Sequence, residues 1–299
     1  MNSSVALIPT MSRSDSVNIV VAGKIGTGKS SLINSINGSD IATEGEAQTT
    51  QLKSYPVQVE MITDDVHARR KVVDVTFWDS PGIGNIFGDE KAIITLLAEK
   101  CSETDLLLYC LDMRQRLSKD DVKGITQLTE ALGPELWKNA VFVLTFSNEV
   151  KPPPGSNEDL AKHFKDTFLS WNDAIGRLLK ERLSVPEEII RDIAIVPSGY
   201  RQQSPPDRSD WFTPFWREAF PRVKESAPHV NVANMRVVSP YKGRVSRCVV
   251  LSIVIAVVGA LVWLVVGIGV HLIIGISIVV GVILNYVDSA IISATKKRH

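Results

Sequence analysis

Val17-Asn18-Ile19-Val20-Val21-Ala22-Gly23-Lys24-Ile25-Gly26-Thr27-Gly28-Lys29-Ser30-Ser31-Leu32-Ile33-Asn34-Ser35-Ile36 is the stretch from which the rest of this 299-residue chain can be read. The continuous apolar run Val17–Ala22 meets Gly23 and predicts a buried strand. Ser30–Ile36 predicts a helix, with Gly38 as its C-terminal stop. Between them, Gly23–Ser30 fits G-x-x-x-x-G-K-[ST]. Gly23, Gly26 and Gly28 let the backbone wrap a polyphosphate with its N–H groups turned inward, at the positive end of the following helix. Lys24, Ile25, Thr27 and Ser31 complete the expected phosphate cradle. Lys29 is placed to reach the β- and γ-phosphates, a catalytic as well as a binding role, and the Ser30 hydroxyl to ligate Mg²⁺.

Outward from this stretch, strands and helices alternate. Tyr55–Ile62 and Val72–Trp78 predict an adjacent strand pair, joined by the polar loop Thr63–Arg70. Lys91–Lys100 reads as a helix and Leu106–Asp112 as a strand. Ser118 to Leu132 reads as a helix opened by a capping box, Ser118 with Asp121. Ala140–Thr145 is a further apolar strand. Pro152-Pro153-Pro154-Gly155 forces a loop before a long helix over Asn157–Leu183, and Ile193–Val196 reads as the last strand. The alternation predicts an α/β fold with a mostly parallel central sheet flanked by helices.

Three further segments carry chemistry. Asp79-Ser80-Pro81-Gly82 ends the strand Val72–Trp78. An acid there can hold Mg²⁺ through a water, while the Gly82 amide contacts the γ-phosphate. In the polar loop Glu44–Gln51, Thr49 or Thr50 can add a hydroxyl to the metal and order the loop around a triphosphate. Thr50 is the residue assigned that metal-binding and catalytic role, so the metal set reads Ser30, Thr50 and Asp79. Thr145-Phe146-Ser147-Asn148 follows the strand Ala140–Thr145. Guanine is normally selected here by an Asp accepting from the ring N–H and the amino group. Asn148 offers one carbonyl acceptor, so one guanine donor is left without a partner unless a neighbour such as Glu149 supplies it. Thr145 and Asn148 are expected to bind nucleotide, as are Ser198 and Gly199 of Pro197-Ser198-Gly199, whose backbone N–H groups can meet the guanine carbonyl.

The net charge is zero, but residues 1–243 carry −4 and the remainder +4. A mildly acidic body argues against a nucleic-acid binder. Three cysteines (Cys101, Cys110, Cys248) and five scattered histidines form no disulfide framework or zinc motif. Residues 1–16 are polar and read as a disordered N-terminus rather than a signal peptide. From Cys248 to Val287 there is no Lys, Arg, Asp or Glu. That is about twice the ~20 apolar residues needed to cross a bilayer, so 248–292 reads as a transmembrane anchor after a linker, 226–247, and before a basic tail, 293–299. One span and a hairpin (Val249–Ile268 with Leu272–Ile291) both fit. Basic flanks at both ends favour the hairpin, whereas Asn285 and Asp288 are expensive in lipid. Cys248 is either a palmitoylation site or a plain thiol.

With these elements in this order, residues 17–220 resemble the TRAFAC-class P-loop GTPases, most closely the AIG-type branch that includes the GIMAP proteins and the GTPase receptors of the chloroplast outer envelope. The resemblance is carried by Gly23–Asn34, Trp78–Gly82 and Leu144–Asn148, and more weakly by Asp210–Trp216, whose aromatics also suit plain packing of a helix on the sheet. It implies a G domain over 17–225, GTP and GDP as ligands with Mg²⁺, slow hydrolysis, and a homodimer across the nucleotide face or an unidentified effector. It also implies a membrane-embedded, cytosol-facing protein. Ile83 stands where small GTPases carry a water-orienting Gln, which predicts slow turnover without a partner. A nucleotide-binding membrane scaffold with negligible turnover is the alternative, and Asn148 keeps an ATP-using enzyme open. Arg114 and Arg116, just after a strand end, read equally as an arginine finger or as surface charges.

Overall fold

A computed structural model describes residues 16–42, 51–63, 69–84, 90–201, 203–227 and 235–240. Thr49, Thr50, the N-terminal residues, the expected anchor and the basic tail lie outside the described residues, as does part of the loop after Gly82. The chain divides into two units, Met1–Tyr241 and Lys242–His299, and every described residue belongs to the first.

The apolar runs of the sequence become the strands β1 (Val17–Gly23), β2 (Lys53–Thr63), β3 (Arg70–Asp79), β4 (Leu106–Asp112), β5 (Ala140–Thr145) and β6 (Ala194–Pro197), with a short β7 (Met235–Val237). Among the described residues they form one sheet in the order β6-β5-β4-β1-β3-β2-β7. Strands β3, β1, β4, β5 and β6 run parallel, and β2 is antiparallel to β3 and β7. Every residue of β4 and β5 is buried, as central strands covered on both faces require.

Helices cover both faces: α1 (Lys29–Asn37), α2 (Glu90–Glu103), α3 (Lys119–Leu132), α4 (Leu160–Arg177), α5 (Glu187–Asp192) and α6 (Phe212–Ala219). Alternate strand residues point to opposite sides. Ile19, Val21, Leu108 and Val143 pack with Leu32 and Ile33 of α1 and Phe215 and Trp216 of α6. Val20, Leu107, Tyr109 and Phe142 pack with Leu97 of α2, Leu128 of α3 and Ile175 of α4. The aromatic segment 210–216 therefore does pack on the sheet, with Trp216 and Phe77 ring centroids 6.3 Å apart. The register pairs Val21 with Asp79, Gly23 with Cys110, Asp112 with Thr145 and Leu144 with Pro197. The C-terminal ends of the parallel strands thus gather at one edge, where open α/β sheets bind ligands.

Two expectations change. The long helix starts at Leu160 rather than Asn157, because the Asp159 side chain accepts from Lys162 N (2.9 Å) and caps it there; it ends in a π turn, Leu178–Arg182. Ile193–Val196 is not the last strand: Met235–Val237, inside the stretch expected to be a linker, pairs with β2. β7 covers the end of the β2 edge, pairing with Met61, Ile62 and Thr63. Val237 N donates to Thr213 Oγ1 (3.1 Å) and the Arg217 guanidinium to the Met235 carbonyl (3.0 Å), fixing β7 to α6.

Candidate functional site

The loop between β1 and α1 is built as a cradle. The first helical bond of α1 runs from Leu32 N to Gly28 O (2.8 Å), so the N–H groups of Lys29, Ser30 and Ser31 remain at the helix mouth, where the dipole favours an anion. Gly28 has φ 76°, and a Cβ there would lie 2.8 Å from the Phe146 ring, so glycine is required on both counts. A Cβ on Gly26 would meet nothing within 4 Å; the loop faces open space at that point. Thr27 is turned inward, its hydroxyl donating to Lys24 O (2.8 Å). Lys29 is buried, with Nζ donating to Gly23 O (3.2 Å) and Lys24 O (3.0 Å). Burial lowers its pKa below the ordinary lysine value, opposed by the charge of Asp79.

At the end of β3, Asp79 is fully buried and its Oδ2 accepts from Ser30 Oγ at 2.6 Å. Two of the three expected metal residues are therefore side by side; Thr50 lies outside the described residues. Gly82 passes so close to the loop that a Cβ would sit 2.4 Å from the Ile25 side chain. Ile25 N donates to Ile83 O (3.3 Å) and Ile83 N to Gly23 O (3.1 Å). The segment after Asp79 is thus laced to the cradle by main-chain bonds, and Ile83 is buried.

The opposite end of the cradle is closed by β5 and β6. The Thr145 hydroxyl lies 2.7 Å from Thr27 O and 3.0 Å from Leu111 O, so it clamps the loop from behind rather than pointing to open space. Phe146 sits at φ 54°, a left-handed conformation costing an L-residue about 1–2 kcal/mol. Its ring is held between Gly28 and the Arg114 guanidinium, 4.1 Å from the centroid. Asn148 Nδ2 donates to Gln203 Oε1 (2.7 Å). Glu149 is held by Arg114 (2.8 Å), whose guanidinium also binds Asp112 (2.8 Å); these bonds raise the Arg114 pKa further. The Ser198 N–H donates to Leu144 O (2.9 Å), continuing the β5–β6 pairing, so it is engaged in the sheet rather than free to meet a base carbonyl as the sequence predicts.

The structure thus gathers Gly23–Ser31, Asp79, Gly82, Thr145, Asn148, Ser198 and Gly199 along one sheet edge. It adds residues that sequence reasoning passes over. Phe146 lies inside a recognised segment but has no role legible there. Gln203 meets a partner 55 residues away, which no local pattern signals, and Arg114, read from the sequence as an arginine finger or a surface charge, instead holds Asp112 and Glu149. Lys24 Nζ reaches Ser118 Oγ (3.1 Å) and Asp121 Oδ2 (3.6 Å), tying the cradle to the capping box of α3.

Comparison with known proteins agrees with this arrangement. The AIG1 family matches residues 17–181. Translocase of chloroplast 159 of Arabidopsis thaliana is 29% identical over 218 residues, covering 63% of this chain and 14% of that protein. The Translocase of chloroplast 34 homolog of Chlamydomonas reinhardtii is 27% identical over 208 residues, covering 65% and 51%. GTP-binding protein A of Dictyostelium discoideum is 29% identical over 146 residues, covering 45% and 29%. The chain therefore spans from 14% to about half of the length of these relatives. In fold it is similar to Toc33 from Arabidopsis thaliana, both as a dimerization-deficient mutant (TM-score 0.55, 18% identity, 69% of this chain and 83% of that one) and in complex with GDP and Mg²⁺ (0.53, 19%, 69% and 83%). With the family match running over more than half its length and through the whole phosphate cradle, this chain belongs to the AIG1 family.

Proposed function

We propose that this chain is a magnesium-dependent GTP-binding protein that hydrolyses GTP slowly, is accelerated by a second copy across the nucleotide face or by another protein, and is held at a membrane by residues 248–292 with its nucleotide site facing the cytosol. The observation that carries the nucleotide reading is the 2.6 Å contact of Ser30 Oγ with Asp79 Oδ2 beside the buried Lys29 ammonium. Such a hydroxyl–carboxylate pair at a helix mouth suits Mg²⁺, which keeps several waters and takes its remaining ligands from phosphates. Ser30 and Asp79 would supply the protein's ligands, leaving the other positions to waters and phosphate oxygens. Together they would hold the ion, and it would supply positive charge against the negative charge that develops on the transferred phosphoryl group.

Similar proteins support the same chemistry. Toc33 has been solved with GDP and Mg²⁺ and with Mg²⁺ and GMPPNP, and dimerization is important for the GTPase activity of atToc33 and psToc159. In this chain Lys29 holds the terminal phosphates and the first-turn N–H groups of α1 receive them. Gly82, packed against Ile25 and followed by Ile83, which is hydrogen-bonded to the cradle, registers the γ-phosphate through its amide. Ile83 is apolar and buried, so it cannot orient an attacking water, and turnover is slow until a partner completes the site. Arg114 is occupied by Asp112 and Glu149; Arg116 is exposed and can reach toward a second copy.

The buried Ile83 also favours a second reading, a membrane scaffold that binds nucleotide with negligible turnover. Hydrolysis per molecule measured against concentration of the full chain, with GTP and ATP side by side, separates the two. A rate that climbs with concentration and does not climb in Arg116→Ala supports the self-activated enzyme. Bound GTP with no turnover at any concentration supports the scaffold, and failure to bind either nucleotide overturns both.

A further inference from the structure

Helix α3 carries a buried glycine in its interior, Gly124, where glycine costs a helix about 0.5–1 kcal/mol relative to alanine. Its neighbours account for it. A Cβ at Gly124 would lie 2.7 Å from the Tyr109 hydroxyl and 3.2 and 3.3 Å from two carbons of the Ile83 side chain. Tyr109 cannot draw back, because its fully buried ring stands edge-on to Trp137 and Phe142, with centroids 6.2 and 5.7 Å away. Its hydroxyl makes no hydrogen bond among the described residues, so its contact with α3 is one of fit alone.

Ser118, Asp121 and Gly124 are spaced three apart and share one face of α3. That face meets the phosphate site twice. Lys24 Nζ donates to Ser118 Oγ (3.1 Å) and lies 3.6 Å from the buried Asp121 carboxylate. Ile83 seats its side chain against Gly124. On the main chain these two residues are themselves a pair: Lys24 bridges to Ile83, Ile25 N donates to Ile83 O and Ile83 N donates to Gly23 O. A shift of α3 is therefore passed to the Lys24–Ile83 pair from both sides, and Gly82 is the residue next to it. We propose that α3 is a positioning wall for the phosphate site, with Asp121 acting through Lys24 and Gly124 acting through Ile83 to set where the Gly82 N–H meets the γ-phosphate. Neither Asp121 nor Gly124 belongs to the cradle, and their role rests on the nucleotide reading given above. A diphosphate is received by the first-turn N–H groups of α1, whereas only a triphosphate uses the Gly82 amide. The wall thus governs the preference for triphosphate over diphosphate.

Calorimetric titration of the full chain with GMPPNP and with GDP, both with Mg²⁺, tests this. Gly124→Ala improves helix propensity but forces α3 away from Tyr109. It should lower the GMPPNP:GDP affinity ratio by about 10-fold or more, the worth of one hydrogen bond to a charged group, with GDP affinity within about 3-fold of wild type. Tyr109→Phe removes the atom at 2.7 Å, so the double variant Tyr109→Phe/Gly124→Ala should recover the ratio to within about 3-fold of wild type. Asp121→Asn keeps an acceptor for the helix cap and removes the charge facing Lys24. It should lower the ratio by about 3-fold or more, and have no further effect in a Lys24→Met background. A wild-type ratio in Gly124→Ala, a loss that the double variant does not recover, or independent additive effects of Asp121→Asn and Lys24→Met would each overturn the inference while leaving the nucleotide reading intact. If Gly124→Ala does not fold, the Asp121–Lys24 cycle decides alone, by the same criterion. If the wild type binds neither nucleotide, the nucleotide reading itself fails and this inference with it.

Discussion

The Thr145 hydroxyl, within hydrogen-bond distance of the carbonyl oxygens of Thr27 and Leu111, joins the end of β5 to β4 and to the phosphate cradle through one buried side chain. Replacing it with Val keeps the shape and removes the hydroxyl, at a cost of about 1–3 kcal/mol. Urea unfolding of Thr145→Val should show that loss, and nucleotide affinity should drop with it because the loop is no longer held from behind. Lys29 carries a second residue-scale prediction. Burial lowers its pKa from the ordinary 10.5, and an arriving polyphosphate raises it again. The bound state then holds the proton more tightly than the free one, so affinity is full at neutral pH and declines as pH rises through the lowered pKa of the free protein, starting below 10.5. A pH series of GTP titrations checks this. The cradle residues were legible because their spacing is local and its chemistry strict. Asn148 was legible as a departure, but its pairing with Gln203 was not, because a contact across 55 residues leaves no trace in either neighbourhood.

Helix α3 begins with both bonds of its capping box: Ser118 Oγ accepts from Asp121 N (3.2 Å) and Asp121 Oδ2 from Ser118 N (2.9 Å). Because Lys24 Nζ also reaches Ser118 Oγ, this cap is a joint between the cradle and α3 as well as a helix start. Ser118→Ala should cost about 1 kcal/mol, seen as a fall of about 2–4 °C in Tm for a domain of this size. Lys24 would keep only the longer contact with Asp121. Strands β4 and β5 were legible to the residue, since each is an unbroken apolar run closed by a polar residue, Asp112 or Thr145. β7 was not. Its three residues, Met-Arg-Val, are too few to show a period, and what makes them a strand is the open edge of β2 and the anchors Thr213 and Arg217 on α6. The start of α4 slipped for a different reason: Asn157 and Asp159 are both competent caps, and it is the Asp159 side chain that accepts from Lys162 N.

Across the whole described unit, buried thiols tie stability to alkaline pH. Burial pushes Cys101 and Cys110 up to about 12 from the ordinary 9.0. The unfolded chain releases these protons before the folded one does, so the stability they contribute is complete below pH 9 and is lost as pH rises from there toward 12. Urea midpoints at pH 7.5 and pH 10 should differ in that direction, and both thiols should resist alkylation until the protein unfolds. The central claim is that the cradle around Lys29 grips a magnesium-bound nucleoside triphosphate, and titration of the full chain and of Lys29→Ala with GTP, with and without Mg²⁺, tests it most directly. Saturable binding that depends on Mg²⁺ and weakens by about 100-fold or more in Lys29→Ala is the predicted result; equal affinity in the two proteins, or no binding to the wild type, would contradict it.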